Sequence, residues 1–304
     1  MRIGFSSSRG MICPVLIAGE KVKFLERNIQ INDFCANIER FLDELESNGT
    51  MVENAGNTVI PVNPSKILCP ALNFTDHSGE TGQKSPEFPY FFPKFPSSVT
   101  SYDSDIIRPG PVRKLDYEGE IAAIISRKTR DAGIQASSQS IAGYAVVNDV
   151  SARDIQNQFS EGLGKNWIMG KAADTFLPVS SQVYIGKEDD LDIRTSVNGT
   201  ERQNGNTGQM IFSFPEMISY ISKFITLFPE TGMAQMGVHI YRFLQPGFLL
   251  SLSLTMFDIY PIFLDSTLTT SPSSRNGYFP DIATPGGVPL RIMSPGKRVM
   301  NLLI

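Results

Sequence analysis

The sequence predicts a mainly β fold with few helices, of the α+β class. Short runs rich in branched residues alternate with Gly, Pro and Asn turns along most of the chain, which is typical of β structure. Only three segments show a helical pattern, and no internal repeat or low-complexity tract is present. The predicted strands cover residues 14–18, 66–69, 117–126, 144–148, 182–185 and 193–197.

The clearest predicted helix covers residues 33–48. Asp33 can cap its first turn, and Asn48-Gly49 supplies a stop. The apolar residues that recur at helical spacing are Phe34, Ile38, Phe41, Leu42 and Leu45.

Two further helices are predicted later in the chain. One follows Ser151, because Ser151 and Asp154 have capping-box spacing. The other covers residues 215–226, with its apolar side chains on one face.

The chain is predicted to have three parts. Residues 1–62 form a small N-terminal module, with the boundary at Val62-Asn63-Pro64-Ser65, and residues 63–230 form the main domain. Residues 231–304 differ in composition, since they contain no Glu and only one Lys, Lys297, while Pro, Ser and Met are plentiful.

The overall composition argues against several classes of partner. With Lys+Arg 27 against Asp+Glu 31 and a net charge of -4, the chain has no basic field for nucleic acid. The apolar stretch 243–264 contains Pro246, Asp258 and Pro261, which favours irregular or β structure over a membrane span.

The cysteines and the N-terminus bear on the compartment. Three cysteines without C-x-x-C spacing argue against a disulfide framework and against a thiolate zinc site. The N-terminus lacks the unbroken apolar core of a secretory signal and is expected to be mature sequence. We therefore expect a reducing compartment, the cytoplasm, with the mitochondrion as the alternative.

A row of acidic residues is the strongest local signal for chemistry. In a strand, Asp116, Glu118 and Glu120 would project from one face. Two carboxylates about 5 Å apart repel by roughly 3 kcal/mol at an effective dielectric constant of about 20, so a half-buried row needs solvent, arginine or a metal. A solvated strand face or a row of salt bridges is the alternative. Any metal must be held mainly by oxygen, because the chain has only two histidines.

A second polar segment follows the predicted strand 144–148. Asp149 falls at a strand-to-helix turn, where polar groups converge. Arg153 and Gln156 are three residues apart and so share a helix face, which predicts an anion-binding pair. A capped helix start with a surface arginine is the alternative.

A histidine and a glutamate follow the predicted strand 66–69. Glu80 can orient His77 and raise its basicity, as a general base near neutral pH requires. The alternative is a simple surface histidine in a loop.

Taken in this order, these segments resemble the fumarylacetoacetate hydrolase superfamily over about 160 residues. The matching motifs are Lys66-Ile67-Leu68, Asn73-Phe74-x-Asp76-His77, Lys94-x-Pro96-Ser97-Ser98, Leu115-Asp116-Tyr117-Glu118-x-Glu120, Ala142-Gly143-Tyr144, Asn148-Asp149-Val150-Ser151-Ala152-Arg153-Asp154, Gly170-Lys171-x-x-Asp174-Thr175-Phe176, Val197-Asn198-Gly199 and Gly205-Asn206-Thr207-x-x-Met210-Ile211-Phe212.

The resemblance implies a twisted β-barrel or β-roll catalytic domain, in a homodimer, with a metal centre. Metal ligands would be Glu118, Glu120 and Asp149, holding Mg²⁺ or Mn²⁺, with Ca²⁺ as an alternative. The resemblance implies catalytic roles for His77, Glu80 and Lys171, with His77 and Glu80 activating water, and substrate contacts for Arg153, Gln156 and Lys94.

The implied function is metal-dependent cleavage of a C–C bond in a small dicarbonyl or 2-oxo acid. The enzyme would be a hydrolase of fumarylacetoacetate or an acylpyruvate, or an oxaloacetate decarboxylase, in a biosynthetic or aromatic-catabolic pathway. The alternative is a catalytically impaired relative that serves as a binding or scaffold protein.

That alternative depends on departures from the family pattern after residue 227. In the family this segment reads Pro-Gly-Asp, then a strand, then Thr-Gly-Thr-Pro. In this chain that order is lost, the strand is expected to be missing or shortened, and Met233 stands where a substrate-binding Thr is expected. Either an altered reading frame or retained intron leaves the closing strands absent, or a lineage-specific C-terminus repacks. Gly119, between two of the acids, is a lesser departure that loosens a strand.

Overall fold

The computed structural model describes most of the chain up to residue 229 and four short segments beyond it. The described residues are 1–8, 10–18, 21–52, 57–60, 62–74, 85–159, 164–188, 190–197, 200–229, 233–237, 249–256, 259–269 and 291–293. Among them, no helix is long and apolar enough to span a membrane.

Strands predominate in the described residues, which confirms the mainly β, α+β class. In chain order the strands are β1 Arg2–Ser8, β2 Met11–Ala18, β3 Lys21–Phe24, β4 Thr50–Val52, β5 Asn57–Val59, β6 Ile67–Pro70, β7 Phe91–Lys94, β8 Val99–Ser101, β9 Leu115–Asp116, β10 Gly119–Ile125, β11 Ile141–Asn148, β12 Ser151–Ala152, β13 Leu177–Tyr184, β14 Asp192–Val197, β15 Thr200–Asn206, β16 Met233–Gly237, β17 Leu249–Met256, β18 Ile259–Thr269 and β19 Arg291–Met293.

The helices are short. They are α1 Ile31–Ala36, α2 Ile38–Asn48, α3 Ile134–Ser138, α4 Arg153–Gln156, α5 Trp167–Lys171 and α6 Phe214–Ser222, with 3₁₀ turns at Pro96–Ser98 and Thr207–Gln209. The predicted helices near 151 and 215 are present. Ser213 and Glu216 form a capping box at the start of α6.

The single helix predicted over residues 33–48 is wrong, because the chain breaks at Asn37. Asn37 has φ -130° and ψ 38°, outside the helical region, and its side-chain amide donates to the Asp33 carboxylate at 2.8 Å. Asp33 therefore binds the residue at the break instead of capping the first turn. The stop after Asn48 is confirmed, since a Cβ on Gly49 would lie 2.4 Å from the Leu45 carbonyl oxygen.

The capping box predicted at Ser151 is also wrong. Ser151 lies in β12, and α4 has no side-chain cap. The Ser151 hydroxyl bonds to Glu118 Oε1 at 3.2 Å, while the Asp154 carboxylate accepts the backbone N–H groups of Arg113 and Lys114.

A large sheet organises the fold. Its strand order is β4-β3-β2-β1-β13-β11-β10-β16-β6-β7, with β5 pairing with β1 and β8 pairing with β13. The pairing of β1 with β13 joins the N-terminal segment to this sheet. The pairings among the described residues leave the sheet open, so they do not close a barrel.

Strands beyond residue 230 take part in both larger sheets. β16, a strand of five residues, inserts between β10 and β6, so the strand expected to be missing or shortened after residue 227 is not missing, and its shortening stays a prediction. β17 pairs with β14 in a five-stranded sheet of order β15-β14-β17-β18-β19. The described part of the tail thus adds strands to the fold, as the repacking alternative requires.

The central strands bury both of their faces. On β10, Ile121 and Ala123 join one core, which we call the first core, with Tyr144 and Phe214. Ala122 and Ile124 join a second core, which contains Cys69, Phe92 and Val147. This alternation places Glu120 and Asp149, at the ends of their strands, on the side of the second core.

Candidate metal centre

Several elements end at one place beside the second core. Glu118 and Glu120 flank the start of β10, and Asp149 directly follows β11, which pairs with β10. The Asp149 N–H donates to the Glu118 carbonyl at 2.8 Å, which fixes the two backbones together. Lys171 ends α5 and Lys94 ends β7.

Three carboxylates meet at this point. One oxygen atom from each of Glu118, Glu120 and Asp149 lies within 4.8 Å of the others. Their residues are only 1%, 3% and 1% exposed. Within the described part of the chain, no hydrogen bond or ion pair reaches the Glu120 carboxylate, so its negative charge lacks a direct partner there.

Two buried lysines compensate part of this charge. Lys171 Nζ lies 2.6 Å from Glu118 Oε2 and 2.8 Å from Asp149 Oδ2. Lys94 Nζ lies 2.6 Å from Asp149 Oδ1, but Oδ1 receives no hydrogen bond of good geometry. The ammonium of Lys94 instead donates to the carbonyls of Val150, Lys171 and Phe176. Lys94 therefore holds three backbone segments around Asp149.

Arg153 links the acidic row on the other side. Its Nε donates to Asp116 at 2.8 Å, its Nη2 to Glu118, and its Nη1 to Gln156 Oε1 at 3.2 Å. The prediction that Asp116, Glu118 and Glu120 would project from one strand face is wrong, whereas the salt-bridge alternative is confirmed for Asp116 and Glu118, which share Arg153. The strand breaks between β9 and β10, and Asp116 binds the guanidinium rather than joining the triad.

The pKa values follow from burial and from this charge arrangement. Burial raises the pKa of Glu120 well above 4.5, and the charges of Asp149 and Glu118 raise it further. Burial raises the pKa of Asp116 to about 6, although Arg153 opposes the rise. Burial would lower the pKa of Lys171, but Asp149 and Glu118 keep it above 10.5. Lys171 is therefore a cation, and a negative Glu120 needs a further positive charge.

The donor set fits a hard divalent cation. Three carboxylates face two lysine ammonium groups, and the carboxylate with no partner among the described residues is Glu120, one of the three. Hard cations such as Mg²⁺ and Mn²⁺ prefer oxygen ligands, and an oxygen that accepts one hydrogen bond keeps a second lone pair. Glu118, Glu120 and Asp149 would hold the ion.

Two stacked aromatic rings lie beside Lys171. The rings of Phe92 and Trp167 stack at 4.7 Å, and Lys171 Nζ lies 5.2 Å from the centre of the Phe92 ring. Trp167 is the only tryptophan of the chain, so it reports on this side of the centre.

Seven of the nine predicted site residues converge here: Glu118, Glu120, Asp149, Lys171, Lys94, Arg153 and Gln156. His77 and Glu80 lie outside the described residues, so their roles stay predictions. Substrate contact by Arg153, Gln156 and Lys94 also stays a prediction.

Sequence reasoning missed three polar side chains at this place. Ser151 bonds to Glu118, Asn148 Oδ1 accepts the Glu118 N–H at 3.0 Å, and Gln203 binds the backbone of Gly119. The neighbouring motif made Asn148 and Ser151 visible in the sequence, but nothing local identifies Gln203.

The comparisons with known proteins agree with this fold. The family described as "Fumarylacetoacetate (FAA) hydrolase C-terminal" matches residues 66–232. An uncharacterized protein of Pyrococcus horikoshii is 38% identical over 171 residues, which are 55% of this chain and 74% of that one. The mitochondrial oxaloacetate tautomerase fahd2 of Xenopus laevis is 36% identical over 197 residues, which are 61% of this chain and 60% of that one.

A solved structure shares the fold. The fumarylacetoacetate hydrolase of Exiguobacterium antarcticum superposes with a TM-score of 0.72 at 22% identity, covering 86% of this chain and 98% of that one. The fold and site thus define a mainly β protein with a buried all-carboxylate centre. The chain belongs to the fumarylacetoacetate hydrolase family, which confirms the resemblance predicted from its motifs.

Proposed function

We propose that this protein is a metal-dependent enzyme that cleaves a C–C bond in a small 2-oxo or 1,3-dicarbonyl acid. The observation that carries the proposal is the buried triad of Glu118, Glu120 and Asp149 with the Lys171 ammonium held against two of its members. Such a centre can accept an oxygen-rich acid and stabilise the enolate that cleavage leaves.

The metal would supply one part of this chemistry. When bound by the triad, a divalent cation such as Mg²⁺ or Mn²⁺ supplies a Lewis acid for carbonyl oxygens. The protein's own contribution is a fixed positive charge. Lys171 is buried, and the charges of Asp149 and Glu118 raise its pKa against the effect of burial, so its ammonium favours negative charge that develops on a substrate oxygen beside it.

The two cleavage reactions differ in how the bond breaks. In hydrolysis, water adds to one carbonyl carbon, the adjacent C–C bond breaks, and its electron pair passes into an enolate that is then protonated. In decarboxylation, CO₂ leaves and the same kind of enolate forms. His77, oriented by Glu80, is proposed to deprotonate the water, so only hydrolysis should depend strongly on His77.

Tautomerisation is a second candidate, favoured by the name of the Xenopus laevis relative, an oxaloacetate tautomerase. This reaction moves a proton between a carbon and an oxygen of the acid and breaks no C–C bond. It needs the same enolate stabilisation, so the triad and Lys171 would serve it equally well.

The deciding experiment measures turnover of oxaloacetate, an acylpyruvate and fumarylacetoacetate with EDTA, Mg²⁺ or Mn²⁺. Ultraviolet absorbance follows the enol, and coupling to lactate dehydrogenase detects the pyruvate released from oxaloacetate or an acylpyruvate. Chromatography detects the fumarate and acetoacetate released from fumarylacetoacetate. We expect metal-dependent C–C cleavage that is lost in Glu118→Gln and kept in Glu201→Gln, whose side chain is exposed on β15.

The other outcomes are equally informative. Loss of the enol of oxaloacetate without formation of pyruvate would replace cleavage by tautomerisation. No metal-dependent turnover by a folded protein that binds Mn²⁺ would refute the proposal and favour a catalytically impaired relative. Assembly as a homodimer stays a prediction, which light scattering coupled to size exclusion would test.

A further inference from the structure

The chain is irregular between β9 and β10, where the first of the proposed metal ligands lies. Here side-chain oxygens accept backbone N–H groups, next to the point where β10 begins to pair with β11. Three successive backbone N–H groups donate to side-chain oxygens at 3.0 Å: Tyr117 to Asp116, Glu118 to Asn148, and Gly119 to Gln203. The direction of Glu118 therefore depends on polar side chains.

Gln203 binds both the backbone N–H and the backbone carbonyl of Gly119. Its Oε1 accepts the Gly119 N–H at 3.0 Å, and its Nε2 donates to the Gly119 carbonyl at 2.8 Å. Because a backbone N–H only donates and a carbonyl only accepts, these contacts fix the orientation of the amide. Thr195, opposite Gln203 on β14, donates its hydroxyl to the same Oε1 at 2.6 Å.

These hydrogen bonds restrict the backbone at a glycine that would otherwise be flexible. Gly119 lies between two proposed ligands, Glu118 and Glu120, and a glycine there allows many backbone conformations. A pair of hydrogen bonds from one rigid amide removes much of that freedom. Gln203 is 1% exposed, and a buried amide is costly unless it is well bonded.

We propose that Gln203 is a positioning residue for the metal centre. By binding both backbone polar groups of Gly119, it fixes the directions in which the side chains of Glu118 and Glu120 project from the backbone. Thr195 fixes the side chain of Gln203 in turn. The five-stranded sheet, which carries Gln203 and Thr195, thereby supports ligands that belong to the large sheet. This inference rests on the proposed function, because it requires that the triad binds a cation.

The test is direct measurement of Mn²⁺ binding by electron paramagnetic resonance of free Mn²⁺, without substrate. The variant Gln203→Met keeps the length of the side chain but removes both hydrogen bonds. Loss of a group that orients metal ligands typically weakens metal affinity roughly 10- to 100-fold, and we expect a loss in that range. Thr195→Val should cause a smaller loss in the same direction.

Gln209→Met is the matched control. Gln209 also binds backbone through its amide, accepting the Asn206 N–H at 3.0 Å, but it caps a 3₁₀ turn away from Gly119. We expect this variant to lose thermal stability and to keep the wild-type affinity for Mn²⁺. Equal losses of affinity in Gln209→Met and Gln203→Met would mean general destabilisation and would overturn the proposal.

The remaining outcomes separate this inference from the proposed function. If the wild-type protein binds Mn²⁺ and Gln203→Met binds it equally well, the positioning role is refuted while the metal centre stands. If the wild-type protein binds no Mn²⁺, the proposed function fails and the inference fails with it. Should Gln203→Met not fold, Thr195→Val decides, and unchanged affinity in that variant refutes the role.

Discussion

Because the carboxylate of Glu120 is buried beside two others, we expect its removal to raise the stability of the metal-free protein and to weaken metal binding. In Glu120→Gln the side chain keeps its shape and can no longer ionise, so it carries neither the repelled charge nor the need to take up a proton that its raised pKa implies. Without metal, the wild-type carboxylate lies within 4.8 Å of two others and has no ion-pair partner among the described residues. We therefore expect Glu120→Gln to make the metal-free protein more stable, although it removes a metal ligand.

The size of the effect follows from Coulomb's law. At 4.8 Å and an effective dielectric constant of about 20, each neighbouring carboxylate contributes roughly 3 kcal/mol of repulsion. Lys171 and Lys94 offset part of this repulsion, so we expect a gain of about 1 to 3 kcal/mol in the free energy of unfolding. For a chain of this size, each kcal/mol raises the melting temperature by about 2 °C.

Thermal unfolding in EDTA and in Mn²⁺ would measure both effects. At a Mn²⁺ concentration of about 100 times Kd, the wild-type protein should gain about 2.7 kcal/mol, and Glu120→Gln should gain little. The exposed Glu201→Gln should behave as wild type in both conditions. A Glu120→Gln variant that is less stable than wild type in EDTA, or that is stabilised equally by Mn²⁺, would refute the reasoning.

Three further predictions concern the surroundings of the triad. Lys94→Met should lower the free energy of unfolding by about 3 to 5 kcal/mol in urea titrations, because it leaves three carbonyls without their donor and removes one of the two ammonium groups beside the buried carboxylate of Asp149. A loss below about 1 kcal/mol would contradict this role. Gly170→Ala should lower the free energy of unfolding by about 1 to 3 kcal/mol and reduce Mn²⁺ affinity. The new Cβ would lie 2.6 Å from Gln156 Cβ and would push α5, which carries Lys171, away from α4. Unchanged Mn²⁺ affinity would mean that the packing of α5 on α4 does not affect the metal centre. Mn²⁺ should change the fluorescence of Trp167 in the wild-type protein and leave it unchanged in Glu120→Gln, and equal changes in both would place the ion elsewhere.

The arrangement of charges suggests why the triad can stay assembled before a cation arrives. Lys171 contacts two of its carboxylates and Lys94 contacts one. Breaking such buried pairs is far more costly than breaking exposed ones, because a charge is left in a medium of low polarity. The lysines should therefore keep the ligands close to their working positions.

Much of the centre could be predicted from the sequence. Local patterns indicated an acidic row that contains Glu118 and Glu120, and they placed Asp149 at the end of a strand. The resemblance to the family then implied that these three carboxylates form one ligand set. The neighbouring strands β10 and β11 were predicted with limits within about three residues of those observed, because branched residues and turn residues mark them.

Other predictions failed where a local pattern met a tertiary contact. Asp116 has the spacing of its two neighbours, but Arg153 binds it, and the strand breaks before Glu118. Ser151 has the spacing of a helix cap, but its hydroxyl binds Glu118 instead. In each case a buried ionic partner outweighed the local preference of a few residues.

The sequence by itself determined the class of fold, the family and the identities of the three carboxylates, because these depend on short-range periodicity and on spaced motifs. Only the tertiary structure decided that Lys94 holds backbone carbonyls around Asp149, that β16 lies beside β10, and that Gln203 reaches Gly119 across 84 positions. Such contacts depend on which elements meet after folding, and buried polar groups accept whatever partner that packing brings within hydrogen-bonding distance.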